Sequence, residues 1–181
     1  MDYFTSDLHF QHRNVIQYNN RPFPSVDHMN EELVRRWNER VQNGDNVYVL
    51  GDVGIGSFAK IEPLITRLRG RKHLIWGNHD SNKIKKSELW VTSRPYAEIS
   101  SGGEFVILHH YGQRVWNRCH YGSFHLYGHS HGNLPAYGRS LDVGVDVWDY
   151  RPVTLNEIKE RLADLMQLDV KIGHHDERDE L

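Results

Sequence analysis

Five apolar runs of strand type in this chain of 181 residues are each followed, within a few residues, by Asp, Asn or His. The runs are 3–5, 47–50, 73–76, 104–108 and 124–127, and the polar residues that follow are Asp7, His9, Asp52, Asn78, His79, Asp80, His110, His129 and His131. In open α/β sheets, ligands bind beyond the carboxyl ends of the strands. The pattern therefore predicts one site at one edge of a sheet. The alternative is a set of exposed polar loop residues, which does not explain the recurrence.

The spacing of the other apolar residues predicts the rest of the architecture. Helical periodicity predicts helices over 26–41 and 58–68, and a capping box at Thr154 and Glu157 begins a third. A Ser-Gly-Gly turn predicts a hairpin of strands 96–100 and 104–108, and 141–147 is predicted as the last strand. Helices alternate with strands early and strands dominate later, which predicts an α/β sandwich with a mixed sheet.

The length predicts one domain, because 181 residues leave little room for two. We assign residues 1–172 to that domain and expect 173–181 to form a polar, flexible tail.

The residue types at the strand ends favour a metal site. The chain contains 13 His and a single Cys, so it offers imidazole, carboxylate and amide ligands but no thiolate cluster. That set suits Mn, Fe, Zn, Ni or Co better than Ca. Seven candidate ligands exceed the needs of one ion with an open position, and two ions sharing a carboxylate fit the count. The candidates are Asp7, His9, Asp52, Asn78, His110, His129 and His131.

Local geometry supports the same site. Residues i and i+2 of an extended chain point to the same side, so Asp7 with His9, and His129 with His131, would each present two ligands to one place. The glycines at 51, 77 and 128 precede candidate ligands and would permit a close approach of the backbone.

Composition excludes or disfavours several other functions. The net charge of −2 shows no basic excess of the kind that is typical of nucleic-acid binders, although it does not exclude a local basic patch. No apolar run approaches the roughly 20 residues of a membrane span. The lone Cys119 excludes an intramolecular disulfide and agrees with a reducing, cytoplasmic setting. The first residues also lack a charged segment followed by an apolar stretch, so we expect no signal peptide.

Taken together, the motifs resemble those of the calcineurin-like metallophosphoesterase family, in particular its compact bacterial and phage members without a cap. They occur in the family's order, as Asp7-x-His9, Gly51-Asp52, Gly77-Asn78-His79-Asp80, His110 and Gly128-His129-Ser130-His131. The resemblance implies a four-layer αββα sandwich of two mixed sheets flanked by helices.

The resemblance also implies two divalent ions, with Mn²⁺ as the first choice and Fe, Zn, Ni or Co as alternatives. Asp7, His9, Asp52 and His131 would hold one ion, and Asp52, Asn78, His110 and His129 the other. Asp52 would be the bridge. His79 would be the general acid, and Asp80 would orient its ring or, alternatively, cap the next turn.

The activity implied is hydrolysis of phosphate esters by a hydroxide that the two ions activate. Small or nucleotide-type diesters are the favoured substrates, because an uncapped site can accept a diester. A phosphomonoesterase acting on nucleotides or proteins is the first alternative. A nuclease using the basic segments 67–72 and 83–86, or a non-catalytic binding module, is less favoured. A phosphate ester is the expected partner, with nucleic acid only as substrate and no membrane, and the protein is expected to be a monomer or homodimer.

Residues near the first motif leave their roles open. His12 and Asn14 are candidates for contact with phosphate or for support of His9, with turn formation as the alternative. Arg13 and Arg21 are candidate phosphate ligands on charge alone, with an exposed surface position as the alternative.

Overall fold

Two β-sheets face each other in the computed structural model, which describes residues 1–173 and side chains as far as residue 165. Nine strands form the two sheets: β1 (Asp2–Thr5), β2 (Asn46–Val49), β3 (Arg71–Ile75), β4 (Thr92–Arg94), β5 (Tyr96–Ser101), β6 (Glu104–His109), β7 (Phe124–Tyr127), β8 (Ser140–Asp142) and β9 (Val153–Thr154). The first sheet has the order β4-β3-β2-β1-β9, with β9 antiparallel to the other strands. The second has the order β5-β6-β7-β8, with β5 antiparallel.

The helices flank these sheets, which confirms the predicted sandwich of two mixed sheets. They are α1 (Arg13–Tyr18), α2 (Val26–Arg40), α3 (Phe58–Arg67), α4 (Asn82–Lys85) and α5 (Leu155–Gly173). The predicted capping box begins α5, because Glu157 accepts the backbone N–H of Thr154 at 2.9 Å and donates its own N–H to the Thr154 hydroxyl at 3.4 Å. None of these helices is both long and apolar enough to cross a membrane, as far as residue 173.

The alternation of side chains along the strands separates two apolar cores. In β2, Val47 and Val49 are fully buried in the core that the α2 residues Leu33 and Trp37 share. The second core is formed by side chains from both sheets and from α5. They include Phe4 of β1, Leu50 after β2, Ile75 of β3, Val106 and Leu108 of β6, Leu126 of β7 and Ile158 of α5. Burying such side chains stabilises the fold by about 1.5–3 kcal/mol each. The two cores therefore fix the positions of the strand ends that lie beyond them.

Some predicted boundaries were wrong. The strand expected over 141–147 ends at Asp142, because the Asp142 carboxylate accepts the N–H of Gly144 at 2.6 Å and turns the chain. Residues Val145–Val147 instead form a short 3-10 helix. The short elements α1, β4 and β9 had no clear signal in the sequence. The predicted tail begins at Gly173, the end of α5, and its residues 174–181 lie outside the described part of the chain.

Candidate metal centre

Parallel pairing brings the carboxyl ends of the key strands to one edge of the sandwich. Strands β1, β2 and β3 lead to Asp7, Asp52 and 78–80, while β6 and β7 lead to His110 and 129–131. The N–H of Asp7 donates to the Gly51 carbonyl at 3.1 Å, and the N–H of Val145 donates to the Ser6 carbonyl at 3.0 Å. The loops after both sheets are thus hydrogen-bonded to one another.

The loops place the candidate ligands in two adjacent groups. Asp7, His9 and His131 form one group, and Asp52, His110 and His129 form the other. Within each group the ligand atoms lie no more than 4.8 Å apart. The seventh candidate, Asn78, has its Oδ1 3.0 Å from His110 Nε2 and so lies at the second group. Each group of Asp and His could hold a metal ion.

Asp52 lies between the two groups and faces both. Its Oδ2 is 3.7 Å from His9 Nε2, and its Oδ1 is 3.6 Å from His110 Nε2. The residue is only 1% exposed, so both oxygens are held inside the protein. A carboxylate with one oxygen toward each group has the geometry of a bridging ligand.

The histidine nitrogens that face the centre suit a cation. His110 donates through Nδ1 to the Leu50 carbonyl at 2.7 Å, which leaves Nε2 of the neutral ring as a lone-pair donor toward Asp52. His9 Nε2 is buried and has no hydrogen-bond partner among the described residues. A buried polar atom without a partner is costly. A metal ion would give His9 Nε2 the partner that it lacks. The residues present therefore fit the metal ions that the sequence implies.

The pKa shifts of Asp7 and His9 also agree with a metal ion at this centre. Burial raises the pKa of Asp7 well above its ordinary value, and the nearby carboxylates of Asp142 and Asp52 raise it further. Burial lowers the pKa of His9, and the positive charge of Arg21 adds to this effect. The carboxylates repel one another, and the neighbouring imidazoles are neutral. A divalent cation at this position would offset that repulsion.

The backbone at the candidate ligands is strained. Asp7, His9, Asp52, His129 and His131 have φ between 47° and 65°, in the left-handed region. Such conformations cost non-glycine residues about 1–3 kcal/mol each and cluster at functional sites. The prediction that Asp7 with His9, and His129 with His131, lie in extended chain was therefore wrong. Both pairs lie in loops beyond their strands.

Two of the predicted glycines are required for close approach. A Cβ on Gly77 would overlap the Asp52 carboxylate, and a Cβ on Gly128 would overlap the Ser6 hydroxyl. Both loops pass against the centre at distances that only glycine permits.

His79 and Asp80 occupy different environments. The His79 ring is 45% exposed, with Nε2 4.0 Å from Asp52 Oδ2, so it stands at the open side of the centre. Asp80 is buried, and its carboxylate accepts the backbone N–H groups of Asp52, Val53 and Gly77 at 2.8–3.1 Å. The expected contact of Asp80 with the His79 ring is thus replaced by hydrogen bonds that fix the ligand loops.

The residues around the first motif separate into two kinds. The His12 Nδ1 lies 3.3 Å from His9 Nδ1, and its ring centroid lies 6.3 Å from that of His79, so His12 is part of the centre. Arg13 and Asn14 begin α1 with exposed side chains. The structure does not bring these two together with the ligand groups.

Arg21 is neither a free phosphate ligand nor an exposed surface residue, so both predictions for it were wrong. Its side chain is fully buried, and it forms a two-pronged ion pair with Asp146 at 2.8 Å. Asp146 in turn contacts His131 Nδ1 at 2.6 Å, and the Asn19 amide nitrogen lies 2.9 Å from the same Nδ1. Sequence reasoning assigned no role to Asp146 or Asn19. The signal for Asp146 was its place as one of two carboxylates, with Asp142, inside the largely apolar run 141–147.

Asp142 is a second supporting carboxylate that sequence reasoning missed. It accepts the Ser130 hydroxyl at 2.5 Å and the Gly132 N–H at 2.9 Å. It therefore holds the loop that carries His129 and His131.

Fold and site define a two-sheet α/β protein with a histidine- and aspartate-rich centre, able to hold metal, at the ends of its parallel strands. The chain belongs to the family of the uncharacterized protein MJ1445 of Methanocaldococcus jannaschii, to which it is 33% identical over 86% of this chain and 88% of that protein. No protein-family model matches the sequence.

A solved structure shares the fold. The protein of unknown function AQ665 from Aquifex aeolicus is 24% identical, with a TM-score of 0.72 over 88% of this chain and 98% of its own. The phosphoesterase YfcE from E. coli is a more distant neighbour, 18% identical with a TM-score of 0.43, over 79% of this chain and 77% of its own.

Proposed function

We propose that this protein is a calcineurin-like, metal-dependent phosphoesterase with two ions, Mn²⁺ being the first choice, and a preference for small or nucleotide-type phosphodiesters. The observation that carries the proposal is the Asp52 carboxylate between two ligand groups, 3.7 Å from His9 Nε2 on one side and 3.6 Å from His110 Nε2 on the other. Bridged pairs of divalent ions are a recurrent solution for phosphoryl transfer.

The ligand assignment follows the two groups. Asp7, His9, Asp52 and His131 would hold one ion, and Asp52, Asn78, His110 and His129 the other. When bound, such ions polarise phosphoryl oxygens and lower the pKa of water.

His79 supplies the acid–base function in this proposal. Its ring is 45% exposed at the open side of the centre, and its backbone N–H, which donates to Asp52 Oδ1 at 2.9 Å, fixes the start of the side chain. A proton held at Nε2 can pass to the oxygen of the departing alcohol. Asp80 acts indirectly, because its three backbone hydrogen bonds fix the loops of Asp52 and His79.

The charge around the centre favours a diester over a monoester. A monoester carries nearly two negative charges near neutral pH and is commonly held by additional arginines. Arg21 adjoins the centre, but Asp146 and the carbonyls of Asp7 and Leu8 already occupy its guanidinium. The exposed side chains of Asn78, His79 and His129 also leave room for a second ester group.

Hydrolysis by chelator-stripped protein tests this function. We expect added Mn²⁺ to restore cleavage of a bis-aryl phosphodiester, with kcat/KM at least about tenfold above that for the corresponding aryl monoester, a difference of about 1.4 kcal/mol in transition-state stabilisation. A reversed ratio would favour the monoesterase. No hydrolysis of either ester with Mn²⁺, Zn²⁺, Fe²⁺, Ni²⁺ or Co²⁺, despite bound metal, would refute phosphoesterase activity.

A further inference from the structure

A buried guanidinium connects the loops that carry one of the two ligand groups. Arg21 donates to Asp146 through Nε and Nη2, each at 2.8 Å. The same side chain donates to the backbone carbonyl of Asp7 at 2.7 Å and to that of Leu8 at 3.1 Å. One arginine thus fixes the turn between the candidate ligands Asp7 and His9 and also holds a carboxylate from the distant segment 145–147.

That carboxylate fixes the third member of the group. Asp146 Oδ2 lies 2.6 Å from His131 Nδ1. A carboxylate paired with a guanidinium accepts hydrogen bonds, and its contact with His131 Nδ1 at 2.6 Å is shorter than that of the Asn19 amide nitrogen at 2.9 Å, so we assign the hydrogen of His131 to Nδ1 and the lone pair to Nε2.

The second ligand group is oriented by other contacts. The ring of His110 is fixed by the Leu50 carbonyl at 2.7 Å, and the backbone N–H of His129 donates to the Asp7 carboxylate at 2.9 Å. Neither contact involves the side chain of Arg21 or Asp146. The Asp7 contact joins the two groups, but the ring of His110 has a support of its own, so loss of Arg21 or Asp146 should act first on the group of Asp7, His9 and His131.

A purely stabilising role does not account for the pair. Burying an ion pair costs desolvation that its attraction often only repays, and apolar residues of similar volume can do as well. Apolar residues could neither accept the Nδ1 hydrogen of His131 nor bind the carbonyls of Asp7 and Leu8. The pair supplies what the ligand loops need.

We propose that Arg21 and Asp146 are positioning residues for one ion of the pair, the ion held by Asp7, His9 and His131, and that the affinity of the other ion depends on them far less. The inference rests on the metal centre of the proposed function, and not on the reaction. Outer partners of ligating histidines typically contribute 10–100-fold to metal affinity.

Calorimetric titration of Mn²⁺ into chelator-stripped protein tests the proposal without an activity assay. His131→Gln and His110→Gln first identify which binding step belongs to which group. We expect Asp146→Asn to weaken the step that His131→Gln weakens by about 10–100-fold, and to leave the other step nearly unchanged. The matched control is Arg40→Gln, which breaks the Arg40–Glu157 ion pair of 2.7 Å near the start of β1 and should leave both steps unchanged.

Equal weakening of both steps by Asp146→Asn, or no weakening, would overturn the proposal. If that variant does not fold, nitrogen-15 NMR of the wild-type, metal-free protein decides instead. A hydrogen-bonded proton on His131 Nδ1 supports the proposal, and an unprotonated Nδ1 overturns it. If the wild type does not bind two ions, this inference fails together with the two-ion site. If it binds two ions but cleaves no phosphate ester, only the proposed reaction fails.

Discussion

Replacement of the proposed bridging carboxylate by an amide, Asp52→Asn, is expected to produce the largest functional loss. Asp52 faces His9 and His110 with different oxygens, and a neutral amide cannot bind two cations through both ends. Metal ions supply several kcal/mol of transition-state stabilisation, so turnover should fall by at least about 10³-fold. Metal content, measured by elemental analysis after dialysis, should fall below two ions per chain.

The fold should survive this change, because Asn keeps an oxygen that can accept the His79 N–H, which donates to Asp52 Oδ1 at 2.9 Å. The control is Asp27→Asn, a chemically identical change at an exposed position in the first turn of α2. A variant at position 52 that retained two ions and full turnover would show that Asp52 does not bridge.

Removal of the proposed acid–base group, His79→Asn, is expected to separate turnover from metal binding. An amide cannot transfer the proton, and such groups contribute about 10²–10⁴-fold to the rate. The metal content should remain at the wild-type level, because the group at 79 that holds Asp52 is the backbone N–H, which the substitution retains.

Comparison of kcat with metal stoichiometry in the same preparation measures this separation. His120→Asn, at an exposed histidine of the turn Cys119–Tyr121, is the matched control and should change neither quantity. Loss of metal from the His79 variant would mean that His79 is a ligand and not an acid.

Much of the fold was predictable because local patterns and tertiary packing agree. The apolar runs form strands because the alternation of side chains in β2 places Val47 and Val49 in one core. Helix α2 forms over 26–40 because its apolar face covers that core. The predicted ligands converge because their strands are parallel. Strand β4, with the polar sequence Thr-Ser-Arg, had no such signal, and it pairs with β3 at the edge of the sheet only in the tertiary structure.

The supporting network of the centre could not be predicted for a different reason. Arg21 and Asp146 are separated by 125 positions, and no periodicity relates them. The charge of an arginine suggests an exposed position, yet here the fold surrounds Arg21 with a carboxylate and two carbonyls. The left-handed backbone of Asp7 and His9 was equally hard to predict, because Asp and His are enriched in that conformation but adopt it only in a minority of cases.

The central claim is that two ions bind around Asp52, and anomalous diffraction from crystals soaked in Mn²⁺ tests it most directly. Data collected on both sides of the manganese absorption edge should show two peaks per chain. One should lie among Asp7, His9 and His131, the other among Asn78, His110 and His129, and both should contact the Asp52 carboxylate. A single peak, or two peaks that do not share Asp52, would contradict the account.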